Sequence, residues 1–245
     1  MDLLELDSLV YRYPGRTELA LAGASLRVSA GERMAIIGSN GSGKSTLLLH
    51  ANGTLRPSGG QVRFAGKPVS YDRRGLLMLR RHVGIVFQNP DEQLFSASVA
   101  QDISFGPLNL GLDAKAARRR VEEAAELCGI THLLDRPTHA LSGGEKTCVA
   151  LAGVLAMNPQ VIIADEVTSG LDPWMRDQVL AIFDRLARQG KAIVLSTHDL
   201  DVAWRWADQV AFMQAGRVLF VTPPKQMFTN PTILALTKLD QIVAR

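Results

Sequence analysis

The chain reads as an α/β protein organised around a phosphate-binding loop, with a parallel sheet, an antiparallel β portion ahead of it and an inserted helical lobe. Three observations predict this. The run Gly38–Ser45, GSNGSGKS, fits the pattern G-x-x-x-x-G-K-[ST] without a mismatch and lies between an apolar strand, Arg33–Ile37, and a helical stretch, Thr46–Ala51, ended by Gly53. A second apolar strand, Val161–Ala164, ends in two adjacent carboxylates, Asp165 and Glu166. Between these two strands, over roughly residues 90–155, the pattern turns helical before strand-and-helix alternation returns.

The elements follow in order. Leu4–Tyr11 and Leu21–Val28 alternate apolar and polar residues across the turn Tyr13-Pro14-Gly15-Arg16, which predicts antiparallel strands. Gly60–Phe64 and His82–Phe87 predict two more strands. Ser98 to Gln101 has the spacing of a capping box, opening a short helix expected to stop at Gly106-Pro107. Asp113 is placed to cap a longer helix reaching Gly129, with Ala117, Val121, Ala124 and Cys128 on one face. Beyond Val161–Ala164 the sequence predicts a helix over Pro173–Gln189 and a strand over Ala192–Thr197. A hairpin is expected from Val210–Met213 and Val218–Val221. The tail Pro223–Arg245 carries Met227, Phe228, Ile233, Leu234, Leu236 and Leu239 and reads as a helical extension that either completes the core or meets another subunit.

Bulk properties narrow the function. With 245 residues, 47% of them apolar, the chain can bury one large core. The net charge of +3 is spread out, apart from Arg118-Arg119-Arg120 and the pairs Arg73-Arg74 and Arg80-Arg81, so no nucleic-acid partner is expected. Cys128 and Cys148 are too few for a zinc site and read as free thiols in a reducing compartment. No apolar run nears the ~18 residues that span a bilayer, and the acidic start MDLLELD is unlike a signal peptide. The expectation is an intracellular protein that reaches a membrane only through partners.

The motifs carry the chemistry. In Gly38-Ser39-Asn40-Gly41-Ser42-Gly43-Lys44-Ser45, glycines let backbone N–H groups close around phosphate oxygens at a helix N-terminus. Lys44 adds a full charge toward the outer phosphates, and the Ser45 hydroxyl is a ligand for Mg²⁺. Asp165, at the C-terminal end of a parallel strand, faces the same edge and is a second Mg²⁺ ligand. Glu166, one residue on, points elsewhere and suits a general base for an attacking water. His198 and Gln88 end further strands at that edge and are candidates for contact with the terminal phosphate, the Mg²⁺ or the water. Ser142 and Glu145 explain each other as a capping box, but Gly143 and Gly144 weaken a helix start unless something approaches the backbone. That turn reads as a second anion surface. One chain then holds two phosphate-binding surfaces and a single binding lysine, an arrangement that two facing chains would complete.

Taken together, these motifs resemble the nucleotide-binding subunit of ATP-binding cassette (ABC) transporters over essentially the whole chain. The matching positions are the Walker A run Gly38–Ser45 with Thr46 after it, Gln88 of the Q-loop, the signature Leu141-Ser142-Gly143-Gly144-Glu145, Walker B Asp165-Glu166, the D-loop Ser169-Gly170-Leu171-Asp172 and the switch histidine His198. Tyr13 falls where the family stacks an aromatic ring on adenine. The resemblance implies a P-loop NTPase fold with a RecA-like core, an antiparallel β subdomain and an inserted helical subdomain. Residues 1–222 would form the nucleotide-binding domain and 223–245 a C-terminal helical extension. It also implies ATP and Mg²⁺, the latter on Ser45, Gln88 and Asp165. Catalysis would fall to Lys44, Glu166 and His198, in a head-to-tail homodimer with two ATP molecules at its interface.

Val86–Phe95 and Asp102–Leu112 resemble, more narrowly, the ATPase of energy-coupling-factor importers of vitamins and transition-metal ions. Leu141–Met157 and Asp199–Ala207 resemble the cobalt/nickel branch most. That implies work at the cytoplasmic face of the membrane with integral membrane and substrate-capture subunits; the alternative of another class is a soluble ABC-type ATPase not linked to transport. Two positions depart from the pattern: Val167, where the family has proline, and Thr147-Cys148, where basic residues are common.

Overall fold

The structure, a computed structural model, describes residues 2–237. Strands β1 (Asp2–Tyr11) and β2 (Leu21–Ser29) lead to β3 (Arg33–Ile37) and helix α1 (Lys44–Ala51). β4 (Gly59–Phe64), β5 (Lys67–Pro68), α2 (Arg73–His82) and β6 (Val83–Val86) follow. The helical stretch consists of α3 (Val99–Asn109), α4 (Ala114–Leu127) and α5 (Gly143–Ala156). Alternation resumes with β7 (Val161–Asp165), α6 (Pro173–Arg188), β8 (Ala192–Ser196), α7 (Leu200–Trp206), β9 (Gln209–Gln214) and β10 (Arg217–Thr222). Two short helices, α8 (Pro224–Thr229) and α9 (Pro231–Thr237), complete the described residues.

One sheet is antiparallel, in the order β2-β1-β4-β5, and the other has six strands in the order β10-β9-β3-β8-β7-β6. In the second, β9, β3, β8, β7 and β6 run parallel, and β10 returns antiparallel at the edge. Register fixes what reaches the C-terminal edge. Ser196 of β8 pairs with Ile36 of β3 on one side and with Asp165 of β7 on the other, while Val86 of β6 pairs with Ala164. The segments that leave these strands, at Gly38, Gln88, Glu166 and His198, therefore emerge along one line. This is the edge where open parallel sheets bind ligands.

The strands are buried on both faces, and side chains alternate between two apolar clusters. Ala35, Ile37, Ile162, Ala164, Ile193 and Leu195 pack toward α5 and α6, meeting Val149, Leu151 and Phe183. Met34, Ile36, Ile163 and Val194 face the other way, toward α1 and the antiparallel sheet, meeting Leu47, Leu48, Leu6 and Leu26. At about 1.5–3 kcal/mol for each fully buried large aliphatic side chain, this burial is what holds β3, β7 and β8 rigid beneath the site.

Several elements differ from the sequence expectation. α3 runs through Gly106-Pro107 to Asn109 instead of stopping there. Pro107 is buried, and Gly106 lies so close to Met157 that a Cβ would collide with its side chain. Packing against α5 thus outweighs the breaking tendency of proline. Ser98 accepts from the Gln101 N–H at 3.4 Å, which gives half of the expected capping box. The amphipathic helix α2 and the short α7 were not anticipated. The tail is two short helices, and it reaches the core within the described residues, with Met227, Phe228 and Ile233 buried in the α5–α6 cluster. Leu239 lies outside the described residues.

Candidate nucleotide site

The loop between β3 and α1 is built for an anion. α1 starts after Gly43, which has φ 104° and supplies no side-chain cap, and the first helical bond runs from the Leu47 N–H to the Gly43 carbonyl. The amides of Lys44, Ser45 and Thr46 precede that bond and face outward at the positive end of the helix. At Gly43 a side chain would strike the Ala20 carbonyl at 2.7 Å, and at Gly38 it would meet the Met213 carbonyl, so only glycine lets the loop fold this tightly. The buried Ser42 hydroxyl has no hydrogen-bond partner among the described residues, an orphaned polar group in the wall of the cradle.

Lys44 is 5% exposed. Its ammonium donates to the Gly38 carbonyl at 2.9 Å and lies 3.7 Å from Glu166 Oε1. Glu166 is the hub of the edge. Its other oxygen, Oε2, accepts from Gln88 Nε2 at 3.4 Å and sits 3.4 Å from His198 Nδ1. Three segments far apart in sequence thus converge on one carboxylate.

Glu166 adopts φ 48°, a left-handed conformation uncommon for a residue with a Cβ. Its N–H is anchored to the Ser196 carbonyl (3.2 Å) and hydroxyl (2.9 Å), and its carbonyl accepts from the Ser169 N–H at 2.9 Å. The same Ser196 hydroxyl donates to Asp165. Ser196 therefore sets the aim of both carboxylates. Sequence reasoning missed it, because its role comes from the parallel register that sets it opposite Asp165. Val167 is buried in the α5–α6 cluster, so an apolar contact pins the turn where the family pattern has proline.

An open cleft of about 570 Å³ runs from the loop past Gln88 and Glu166 to Tyr13. Tyr13 is 36% exposed there, edge-on to Tyr11 at 5.0 Å, with its hydroxyl 3.2 Å from Thr46 Oγ1. Arg16 and Glu18 also line the cleft and were not anticipated.

The second glycine turn lies apart from this cleft. None of Leu141, Ser142, Gly143, Gly144 and Glu145 lines it, and among the described residues no hydrogen bond or ion pair joins them to Gly38–Ser45. The capping box forms in both directions: the Ser142 N–H donates to Glu145 Oε2 at 2.7 Å, and the Glu145 N–H to Ser142 Oγ at 3.4 Å. Those bonds hold the Glu145 carboxyl below its ordinary range. Gly143 faces open space, whereas Gly144 is pressed against Met175 of α6. In the neighbouring turn Gly170 takes φ 76°, and Asp172 caps α6 by accepting from the Met175 N–H at 3.0 Å. Met175 thus packs the Ser169–Asp172 turn against the Ser-Gly-Gly turn.

Mg²⁺ fits the donor set of Ser45, Gln88 and Asp165. All three offer oxygen, and so small a set matches a cation that takes few protein ligands and completes its shell with water and phosphate.

Comparison with known proteins agrees with this geometry. Residues 21–169 match the ABC transporter family. The chain belongs to that family, as one of its ATP-binding and ATP-hydrolysing subunits. Its relatives include the energy-coupling factor transporter ATP-binding protein EcfA of Methanocaldococcus jannaschii, 44% identical over 230 residues, or 94% of this chain and 82% of that protein. The cobalt import ATP-binding protein CbiO of Rhodobacter capsulatus is 50% identical over 217 residues, covering 89% and 77% of the two chains. Among solved structures, CbiO1 of Clostridium perfringens, part of the ABC transporter complex CbiONQ, superposes with a TM-score of 0.83 at 43% identity, covering all of this chain and 97% of that one. A dimeric ATP-binding cassette in a post-hydrolysis state, bound to ADP and Pi, gives 0.83 at 26% identity, covering 91% and 99%.

Proposed function

We propose that the chain is the ATPase subunit of an energy-coupling-factor importer that takes up a transition-metal ion, with cobalt as cargo. The observation that carries the catalytic reading is the convergence of Lys44, Gln88 and His198 on Glu166. The similarity to CbiO, at 50% identity, supports cobalt. Nickel or a vitamin is the alternative cargo.

ATP would lie along the cleft with its adenine against Tyr13. Its phosphates would sit in the Gly38–Ser45 cradle, leaving the Gly38 carbonyl to lose Lys44 to the outer phosphates. Ser45, Gln88 and Asp165 would hold Mg²⁺, which when bound neutralises charge on the phosphate oxygens. Glu166, released from Lys44, would take a proton from the attacking water, and His198 would contact the terminal phosphate. The exposed Ser142–Gly144 turn would close on the nucleotide of a second copy, with Ser169–Asp172 beside it, giving a head-to-tail pair with two ATP molecules between its subunits. Pairing is supported by the ATP-binding cassette that was solved as a dimer bound to ADP and Pi.

Residues 1–222 would form the nucleotide-binding domain, with the helical subdomain inserted over roughly 90–155, and 223–245 a C-terminal extension. The segment after Gln88 is suited to pass motion outward. Gln93 accepts from the Phe87 N–H and donates to the Ala150 carbonyl, and Asp91 pairs with Lys146 at 2.6 Å, so the segment ties β6 to α5. Beside it, Leu77, Phe95 and Phe105 border an apolar groove in which the membrane subunits would dock from the cytoplasmic face. Among the described residues no helix is long and apolar enough to cross a membrane.

The test is cobalt uptake in cells that carry the chain with the membrane and substrate-capture subunits of an energy-coupling-factor importer. ATP-dependent accumulation of radioactive cobalt, lost in the Glu166→Gln variant, is expected. Uptake that is indifferent to this variant contradicts the proposal.

A further inference from the structure

At the opposite edge of the parallel sheet, where β6, β7 and β8 begin, a cavity of about 310 Å³ opens between the end of α2, the middle of α4 and the turns that lead into β7 and β8. It shares no lining residue with the nucleotide cleft. Arg81, Arg120 and Lys191 reach it from three separate segments, His82 joins them, and no carboxylate lines it. These cations are dispersed in the sequence, and folding gathers them.

Each is poised for a ligand. Among the described residues Arg81 makes no hydrogen bond or ion pair, so its whole fork of donors is free. Arg120 meets only Glu123, at 3.7 Å, and that carboxylate is more than half exposed and outside the cavity. Lys191 is held in place: its ammonium donates to Asn158 Oδ1 and to the Pro159 carbonyl, both at 2.6 Å, which leaves one N–H to give. Asn158 takes φ 54° to present that oxygen, a strained turn that asparagine tolerates better than most residues. His82 is stacked on Phe64, with ring centroids 5.1 Å apart. Gathering these charges is costly. Burial, then Arg120, pushes the Lys191 ammonium below its ordinary range, and burial, then Arg81, does the same to His82. An anion in the cavity would remove that cost.

We propose that this cavity is a binding site for a phosphomonoester, gripped by Arg81, Arg120 and Lys191. The guanidinium forks match a tetrahedral dianion by paired N–H bonds, and the ammonium adds a point charge. Leu110, Leu112 and Met157 also line the cavity and would accept a small aliphatic body attached to the phosphate. Two sources carry this chemistry, a free organic phosphate and the headgroup of an anionic phospholipid. The site does not depend on the cargo or mechanism proposed above.

The test is calorimetric titration of the full chain with glycerol 3-phosphate, with saturating Mg·ADP present to fill the nucleotide cleft. One site per chain is expected, with no binding of glycerol. Affinity should fall about tenfold or more in Arg81→Ala and in Lys191→Gln, each a lost charge-assisted contact. Arg81 is exposed and free of partners, so its variant keeps the fold, and unchanged ADP affinity verifies this. A second arm sediments the chain with phosphatidylcholine vesicles that contain or lack phosphatidic acid. Arg81-dependent sedimentation only with phosphatidic acid identifies the lipid as the source. Binding of glycerol 3-phosphate without sedimentation identifies a free phosphomonoester. Absence of both, or equal binding by the wild type and the two variants, overturns the proposal.

Discussion

The two glycine turns of this chain solve opposite problems. At Gly38–Ser45 the polar groups turn inward: Lys44 is folded onto the Gly38 carbonyl and onto Glu166, which also collects Gln88 and His198. At Leu141–Glu145 the side chains satisfy one another in a capping box, and the backbone of Gly143 faces open space. On the reading proposed above, the first turn belongs to the catalytic centre and the second is the surface that another copy would meet. The difference teaches that the first turn draws its partners from within the chain, whereas the second leaves its backbone to whatever approaches from outside.

The strongest way to break this comparison is at the hub. Glu166→Gln keeps the size of the side chain but loses its charge and one acceptor oxygen and cannot take a proton, so ATP turnover should fall by about 10²–10⁴-fold while ATP binding persists. A phosphate-release assay paired with a nucleotide-binding titration checks it.

Next in size is a change at the other turn. Gly143 is the first residue of α5 and points into open space, so Gly143→Asp suits the helix dipole and leaves the fold intact. It sets a carboxylate where a partner's phosphate would come. Turnover and ATP-driven pairing should fall at least about tenfold, with the affinity of the single chain for ADP unchanged, as light scattering and calorimetry would read out.

How much of this was legible in the sequence depended on the range of the forces involved. The phosphate loop, the Asp165-Glu166 strand end and the Asp113 cap are local patterns, and they were readable because local backbone chemistry decides them. The continuation of α3 through Pro107 was not, since it is set by Met157, fifty residues further on. Ser196 was hidden for a similar reason: its importance comes from register with Asp165 on a neighbouring strand. Gly144 reads as a ligand-facing glycine, and the packing of Met175 against it, set by a residue about thirty positions on, was not legible either. The cavity around Lys191 was invisible, because its cations come from segments with no shared motif.

A smaller effect isolates the scaffold of the second turn. Glu145→Ala removes the reciprocal half of the capping box and should cost about 1 kcal/mol of stability, measured by urea denaturation, with ATP binding at the first turn unchanged.

The smallest effect is one of pH and belongs to the first turn. His50 on α1 is fully buried, and its Nδ1 meets the Thr46 carbonyl at 2.7 Å, so that nitrogen carries the proton and Nε2 is left without a partner. Burial lowers its pKa against the raising effect of the Thr46 bond. The unfolded chain therefore binds the extra proton more readily. The contribution of His50 is fully present above the ordinary histidine value of about 6.5 and is lost as pH falls below it toward the folded value. Thermal melting at pH 7.5 and 5.5 should show this loss, and His50→Gln should flatten it.

The most direct measurement mixes two crippled chains. Lys44→Ala lacks the first turn's charge but keeps an intact Ser-Gly-Gly turn, and Gly143→Asp has the reverse defect. Each alone should be nearly inactive. Combined in equal amounts they can build one complete site from the loop of one chain and the signature turn of the other, so ATP turnover should rise well above the sum of the two. A mixture no more active than its separate components would contradict the claim that the site is shared between copies.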